Sequence, residues 1–357
     1  MNRKYTLIKN IAGTILTKRV GYVIFYVTAY CNLLCKHCFY TQQIRTARER
    51  KELTTQEYKQ ISDRLGPLTN INFTGGEPFL RKDLGEIIRH MSMVNTPSFF
   101  GITTNGLLTA RILQTMAEIL PYCNSSYIKL GISLDGIREQ HNYIRGVESS
   151  YDKAIATIMA LDPLRKKYKN FFVYVSTTLT SSNYKTMNEL IDQVHKLPVD
   201  AHYLGYIRGD IEDDKEHGVS TIDYRKISGY LEEKWKSRKD IFAFLNLLNK
   251  TTRKVNAKVI DDNEYMFPCV AGKQMLTFTE DGKVIPCEIL PKGEDNSFVM
   301  GDIRDYNYDT YKLLESKKAI LISEWIKETK CHCTFECATQ ASLAYQPVSF
   351  LKVLTKL

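Results

Sequence analysis

"YVIFYVTAYCNLLCKHCFY" occupies residues 22–40. Its first nine residues form an unbroken apolar and aromatic run, the pattern of a strand buried on both faces. Immediately after it, Cys31, Cys35 and Cys38 fall within eight residues. Three thiols on so short a loop cannot close a four-thiolate cage. They suit three corners of a [4Fe–4S] cube, one thiolate per iron, which leaves the fourth iron open to another ligand. The alternative is zinc with His37 as fourth ligand, a cramped arrangement because His37 and Cys38 are neighbours.

Outward from this stretch, strand-like and helix-like segments alternate. "NINFTGG" (70–76), "SFFGITTNG" (98–106), "YIKLGISLDG" (127–136), "FFVYVSTTL" (171–179) and "AHYLGYI" (201–207) read as strands. Amphipathic segments stand between them, such as "TTQEYKQISDRLG" (54–66) with its capping Thr and closing Gly. Six such steps predict an α/β fold, a partial (β/α)6 TIM-like barrel with its functional loops at the strand C-terminal ends. The expected organisation is an N-terminal segment over 1–21, the barrel over 22–235 and a helical connector over 236–265. A small cysteine-rich α+β domain over 266–345 and a tail over 346–357 complete it.

Further motifs follow in order at the strand ends: "FTGGEP" (73–78), "TTNG" (103–106), "GISLDG" (131–136) and "HNYIRG" (141–146). With the C-x3-C-x2-C loop they resemble the radical S-adenosylmethionine (SAM) superfamily. The resemblance implies a [4Fe–4S] cluster on Cys31, Cys35 and Cys38 that reductively cleaves SAM to methionine and a 5′-deoxyadenosyl radical. It also implies SAM contacts at Gly75, Gly76, Glu77, Asn105, Ser133, Asp135 and Arg145. Paired glycines let a backbone edge come close to a ligand, Glu77 can accept from an ammonium, and an arginine fork matches a carboxylate. Tyr40 beside the cluster loop is a further SAM contact or a packing residue. Arg208 and Thr177, at the ends of the sixth and fifth strands, are candidate substrate contacts.

Five more cysteines lie near the C-terminus. Cys269 and Cys287 flank a hairpin signal turning at Asp281-Gly282, and Cys331, Cys333 and Cys337 sit in "CHCTFEC". The G-x4-C of "GKVIPC" (282–287) resembles the SPASM and twitch domains that hold auxiliary iron–sulfur clusters. The chain departs from the full SPASM pattern, so the resemblance implies one auxiliary cluster and one spare cysteine among the last three. A structural zinc ribbon is the alternative for these thiols. Cys123 reads as a small buried hydrophobe.

The chain has 357 residues, with 43% hydrophobic and 25% charged residues. No stretch approaches a membrane span and no cleavable signal is recognisable, so a cytoplasmic enzyme with reduced thiols is expected. Residues 1–60 hold eleven Lys/Arg and three acids, nearly all of the net +9. That focus of charge favours an anionic partner: an acidic reduced flavodoxin- or ferredoxin-type donor, or an anionic membrane surface met by residues 1–20. The periodicity of "YTLIKNIAGTIL" puts Leu7, Ile8, Ile11, Ala12, Ile15 and Leu16 on one helical face, either packed on the barrel or laid on a membrane. No nucleic-acid-binding module is evident. The expected substrate is a peptide or small molecule, with a sugar or lipid-linked molecule as the other reading. Thirty residues precede Cys31, too few for a separate leader-peptide domain.

Overall fold

The computed structural model describes residues 3–235, 241–290 and 297–356. Residues 236–240, where the expected barrel meets the connector, lie outside them. So do 1–2 of the N-terminal segment, 291–296 of the cysteine-rich domain and 357.

Nine strands form one sheet: β1 Tyr22–Thr28, β2 Asn70–Gly75, β3 Phe99–Thr104, β4 Tyr127–Ser133, β5 Phe171–Leu179, β6 Ala201–Tyr206, β7 Met275–Phe278, β8 Lys283–Ile285 and β9 Gly301–Asp302. The first six are parallel and lie in sequence order, the (β/α)6 arrangement expected. The helices before the hairpin are α1 Arg3–Thr17, α2 Thr41–Arg45, α3 Thr55–Leu65, α4 Leu84–Val94, α5 Thr109–Ile119, α6 Arg138–Arg145, α7 Ser150–Lys167, α8 Met187–His195, α9 Thr221–Lys234 and α10 Ile241–Asp262. After it come α11 Thr310–Leu314, α12 Lys317–Glu328, α13 Glu336–Tyr345 and α14 Pro347–Lys356.

The outer face of the sheet is apolar and meets the helices. Phe25, Phe73 and Phe100 stack across three strands at 6.1 and 6.0 Å between ring centroids, and Phe278 joins Phe25 at 5.0 Å. Helix α3 starts at a capping box: Thr54 accepts from the Glu57 amide while Glu57 accepts from the Thr54 amide. The same Glu57 takes Arg304 Nε at 2.6 Å, which ties the C-terminal segment to the barrel wall.

The hairpin extends the barrel's own sheet. Strand β7 pairs with β1 in parallel, Tyr22 opposite Met275 and Phe25 opposite Phe278, and β8 then turns back antiparallel. Gly282 at the turn has φ +93, which favours glycine. Within the same connection, the buried Glu280 carboxylate binds Arg50 at 2.7 Å, and its carbonyl accepts from the Leu53 amide at 2.6 Å.

The N-terminal helix is rotated from the expected face. It buries Thr6, Leu7, Asn10 and Thr14, while Ile8 and Leu16 are 68% and 81% exposed and Ala12 is exposed with them. It covers a mixed surface: Leu7 packs with Phe99 and Tyr127, Asn10 Nδ2 donates to the Leu68 and Thr96 carbonyls at 2.7 and 3.1 Å, and Gln274 donates to the helix's own Thr14 carbonyl at 2.9 Å. Satisfying those buried carbonyls outweighs burying Ile8 and Leu16.

Candidate active site

The inward-facing strand residues alternate with the apolar outer ones. They surround a cavity of about 380 Å³ whose lining includes Cys31, Cys35 and Cys38 at the strand C-terminal end. The partial barrel's open side is walled by Asn249 and Arg253 of α10 and by Glu336, Cys337 and Gln340 of α13.

The cysteine loop is held from below. Helix α6 places His141 and Arg145 one turn apart on one buried face, and Gly146 ends the helix in the left-handed conformation. His141 Nδ1 accepts the Asp135 amide at 3.0 Å. Arg145 binds the Asp135 carboxylate through Nε at 2.6 Å and Nη2 at 2.5 Å. Its Nη1 points at Cys35 Sγ at 3.5 Å. The Lys36 amide donates to the Ile144 carbonyl at 3.0 Å, closing the loop onto the helix.

Burial raises the Cys35 thiol while the Arg145 cation favours its thiolate, and burial, with Cys35, Glu77 and Cys38 adding to it against the Leu33 amide, pushes Cys31 up to about 12. Such thiols stay protonated until a metal takes the place of the proton. Asp135 is held low by Arg145, with His37 and His141 adding to it against its burial; its second oxygen accepts from the Thr178 amide at 2.9 Å. His37 Nε2 lies 3.8 Å from Asp135, so the ring that the alternative zinc reading would use is placed against this carboxylate. Among the described residues no three His, Cys, Asp or Glu side chains are gathered tightly enough to hold one metal ion. A cube asks for a wider triangle, with each thiolate on its own iron. The backbone fits thiolates too: the amide two residues on is directed at the sulfur of Cys31 (from Leu33) and of Cys38 (from Tyr40, 3.4 Å).

The cavity wall takes in Tyr40, Gly75, Gly76, Glu77, Asn105, Ser133, Arg145, Thr177 and Arg208. Asp135 is fully buried behind Arg145, so the residue read as a ribose or substrate contact serves as that arginine's partner. A side chain at Gly76 would collide with the Tyr30 carbonyl, so this glycine is needed first for packing on β1. The Gly76 and Glu77 amides donate to the Thr28 and Tyr30 carbonyls, both at 2.8 Å. Glu77 is nearly fully buried and accepts from Thr104 Oγ1 at 2.7 Å and the Asn105 amide at 2.8 Å; burial raises its pKa. Asn105 Nδ2 reaches Asn32 at 2.7 Å. Thr177 Oγ1 donates to the Leu134 carbonyl at 2.6 Å, and Arg208 is paired with Glu336. Tyr40 donates to Glu280 and packs on Tyr26 at 4.5 Å between ring centroids.

Sequence reasoning missed the lumen below this rim: Tyr22, Asn72, Lys129, Tyr174 and Tyr203. The signal was present as polar residues at every second position of otherwise apolar strands, as in Lys129 and Ser133 of β4.

A parallel partial barrel with three thiols on the loop after its first strand defines a cluster-dependent enzyme class. Residues 25–201 match the Radical SAM superfamily model, and through them the chain belongs to the radical SAM superfamily, whose members use a [4Fe–4S] cluster and SAM. The chain is similar to the Fe-coproporphyrin III synthase of Methanosarcina barkeri, 37% identical over 37% of this chain and 32% of that one. It is also similar to the antilisterial bacteriocin subtilosin biosynthesis protein AlbA of Bacillus subtilis, 24% identical over 88% and 65%. Among solved structures it resembles Streptococcus suis SuiB bound to precursor peptide SuiA, with TM-score 0.57, 16% identity, and 92% and 77% of the chains covered. The chain spans less than half the length of several curated relatives it matches.

Proposed function

We propose that this chain is a radical SAM enzyme that modifies a peptide. One observation carries the reading: Cys31, Cys35 and Cys38 share a cavity with the Gly75–Glu77 edge, Ser133 and Arg145. A [4Fe–4S] cluster on those thiols, with SAM at its fourth iron, supplies a 5′-deoxyadenosyl radical able to abstract a hydrogen atom. Arg145 stabilises the Cys35 thiolate, and Asp135 holds that guanidinium in place. Gly75 and Gly76 keep the rim narrow, and the apolar stems of Tyr26, Phe39 and Tyr40 exclude water beside the thiols. Below them, Asn72, Asn249, Gln340, Tyr174 and Tyr203 offer amides and hydroxyls to a peptide backbone. The similarity to AlbA along most of the chain supports the peptide class. Cys269, Cys287, Cys331, Cys333 and Cys337 supply more thiols than one auxiliary cluster needs, and such a cluster would supply an acceptor for an electron from the substrate.

The test is anaerobic reconstitution with iron and sulfide, dithionite reduction and assay for 5′-deoxyadenosine. Product that vanishes in the Cys31/Cys35/Cys38 triple-alanine variant supports the reading; zinc uptake, or iron without SAM cleavage, removes it.

A second reading, a lipid-linked or sugar substrate at an anionic membrane surface, is favoured by the exposed Tyr5, Ile8 and Leu16 flanked by Lys4 and Lys9 on α1. Among the described residues no helix is long and apolar enough to cross a membrane. Co-sedimentation with anionic vesicles that survives Ile8→Gln/Leu16→Gln unchanged rejects this reading. The same basic end suits docking of a reduced flavodoxin or ferredoxin, which a salt-dependent reduction rate would reveal.

A further inference from the structure

The five C-terminal cysteines do not face one place. Cys269, Cys287, Cys331 and Cys333 line one small cavity between α10, α12 and α13. Cys337 lines the other, the large lumen that holds Cys31, Cys35 and Cys38. The electrostatic neighbours divide in the same way. The sulfur of Cys269 bears on Cys287, Cys331 and Cys333, and Cys333 bears on Cys287 and Cys331. The neighbours of Cys337 include Glu288, Tyr22, Arg208, Glu336, Lys129 and Tyr174, none of them a thiol.

Backbone geometry adds an independent distinction. In the SAM-cluster loop, Cys31 and Cys38 receive the amide two residues ahead. Three of the four clustered C-terminal thiols repeat this: Cys269 receives the Ala271 amide, Cys287 that of Ile289, and Cys333 that of Phe335 at 3.5 Å. An N–H aimed at sulfur favours a metal-bound thiolate. Cys337 is the second residue of α13, where its sulfur meets side chains instead: the Tyr22 hydroxyl, and Asn72 Nδ2 at 4.0 Å.

We infer that Cys269, Cys287, Cys331 and Cys333 hold the auxiliary cluster, and that Cys337 is a free thiol on the wall of the reaction cavity, beside Lys129, Tyr22 and Asn72, where the substrate lies. The inference rests on the two-cluster reading above and names the spare cysteine within it. Its position on the first turn of α13 leaves a thiol on the cavity wall that no cluster shields; burial raises it to about 11, so a substrate analogue carrying a thiol-reactive group should be captured there at alkaline pH.

The experiment starts from the Cys31/Cys35/Cys38 triple-alanine chain, reconstituted without oxygen, which isolates the second cluster and should hold about four irons. Adding Cys337→Ala should leave iron, sulfide and the cluster's EPR signal unchanged; adding Cys269→Ala or Cys331→Ala should abolish them. No iron in the triple variant overturns the two-cluster reading and this inference with it. Iron that is lost on Cys337→Ala but kept on removal of one of the other four overturns the inference alone. Thiol mapping by mass spectrometry on the unmutated, fully loaded protein needs no variant to fold. Iodoacetamide should modify Cys337 and spare the other four until iron is chelated; protection of Cys337 together with them, released by the same chelation, would overturn the assignment.

Discussion

Arg145 Nη1 lies 3.5 Å from Cys35 Sγ while the rest of the same guanidinium grips Asp135. One buried cation therefore serves a carboxylate and the sulfur of a proposed cluster ligand together. A lysine keeps the charge but presents a single point, so it cannot satisfy both. Arg145→Lys should lower 5′-deoxyadenosine formation on the order of tenfold, with iron content largely retained. Arg145→Met leaves Asp135 buried without its partner and should cost roughly 3–5 kcal/mol of stability, read by denaturant unfolding. Equal stability of Arg145→Met and the parent would contradict the pairing.

Two histidines make the fold sensitive to mild acid. Burial pushes His141 and His202 down to about 3 from 6.5. Between those values the unfolded chain binds the extra proton and the folded chain does not. Their stabilisation is therefore complete above the unfolded pKa and is lost as pH falls below it. Each contributes a slope of up to ~1.4 kcal/mol per pH unit in that window. Unfolding free energies of His202→Gln from pH 7.5 to 5 should show the slope reduced by about that much; an unchanged slope counts against a neutral buried His202.

Two glycines should respond with opposite signs to alanine. At Gly76 the new methyl meets the Tyr30 carbonyl, and at Gly229, inside α9, it meets nothing. Gly229→Ala should stabilise by roughly 0.4–1 kcal/mol. Gly76→Ala should lower Tm and SAM cleavage together. Thermal unfolding of both variants checks the pair.

On α1, Asn10→Ala removes the donor to two buried carbonyls and should cost about 1–3 kcal/mol. Leu16→Gln, on the open face, should stay within about 0.5 kcal/mol of the parent. The reverse order would restore the helical face expected from periodicity.

That helix shows where sequence reading stops. The barrel strands and α3 were legible because each buries apolar residues at one period, and Thr54 with Glu57 marks a helix start by local chemistry. The inward face of α1 was not legible, because part of the surface it meets is a pair of carbonyls supplied by residues 68 and 96, far along the chain. The cysteine loop and the Gly75–Glu77 turn were legible as motifs. The partner of Arg145 was not, since "SLDG" and "HNYIRG" do not reveal that one's aspartate lies beneath the other's arginine. Nor could spacing in "CHCTFEC" separate Cys333 from Cys337; the start of α13 between them turns the latter toward the barrel.

The pairing of β7 with β1 has a consequence for biosynthesis. Strand β1 is the first to leave the ribosome and is buried along its whole length, yet one of its two hydrogen-bonding edges is completed only by residues 275–278. For most of translation the nascent barrel displays "YVIFYVT" with an open edge, a sticky template for any other extended chain. A fragment that ends before the hairpin would keep that edge permanently, so the first 265 residues made alone should aggregate, and the last quarter of the chain acts as the barrel's built-in chaperone as much as a cluster carrier.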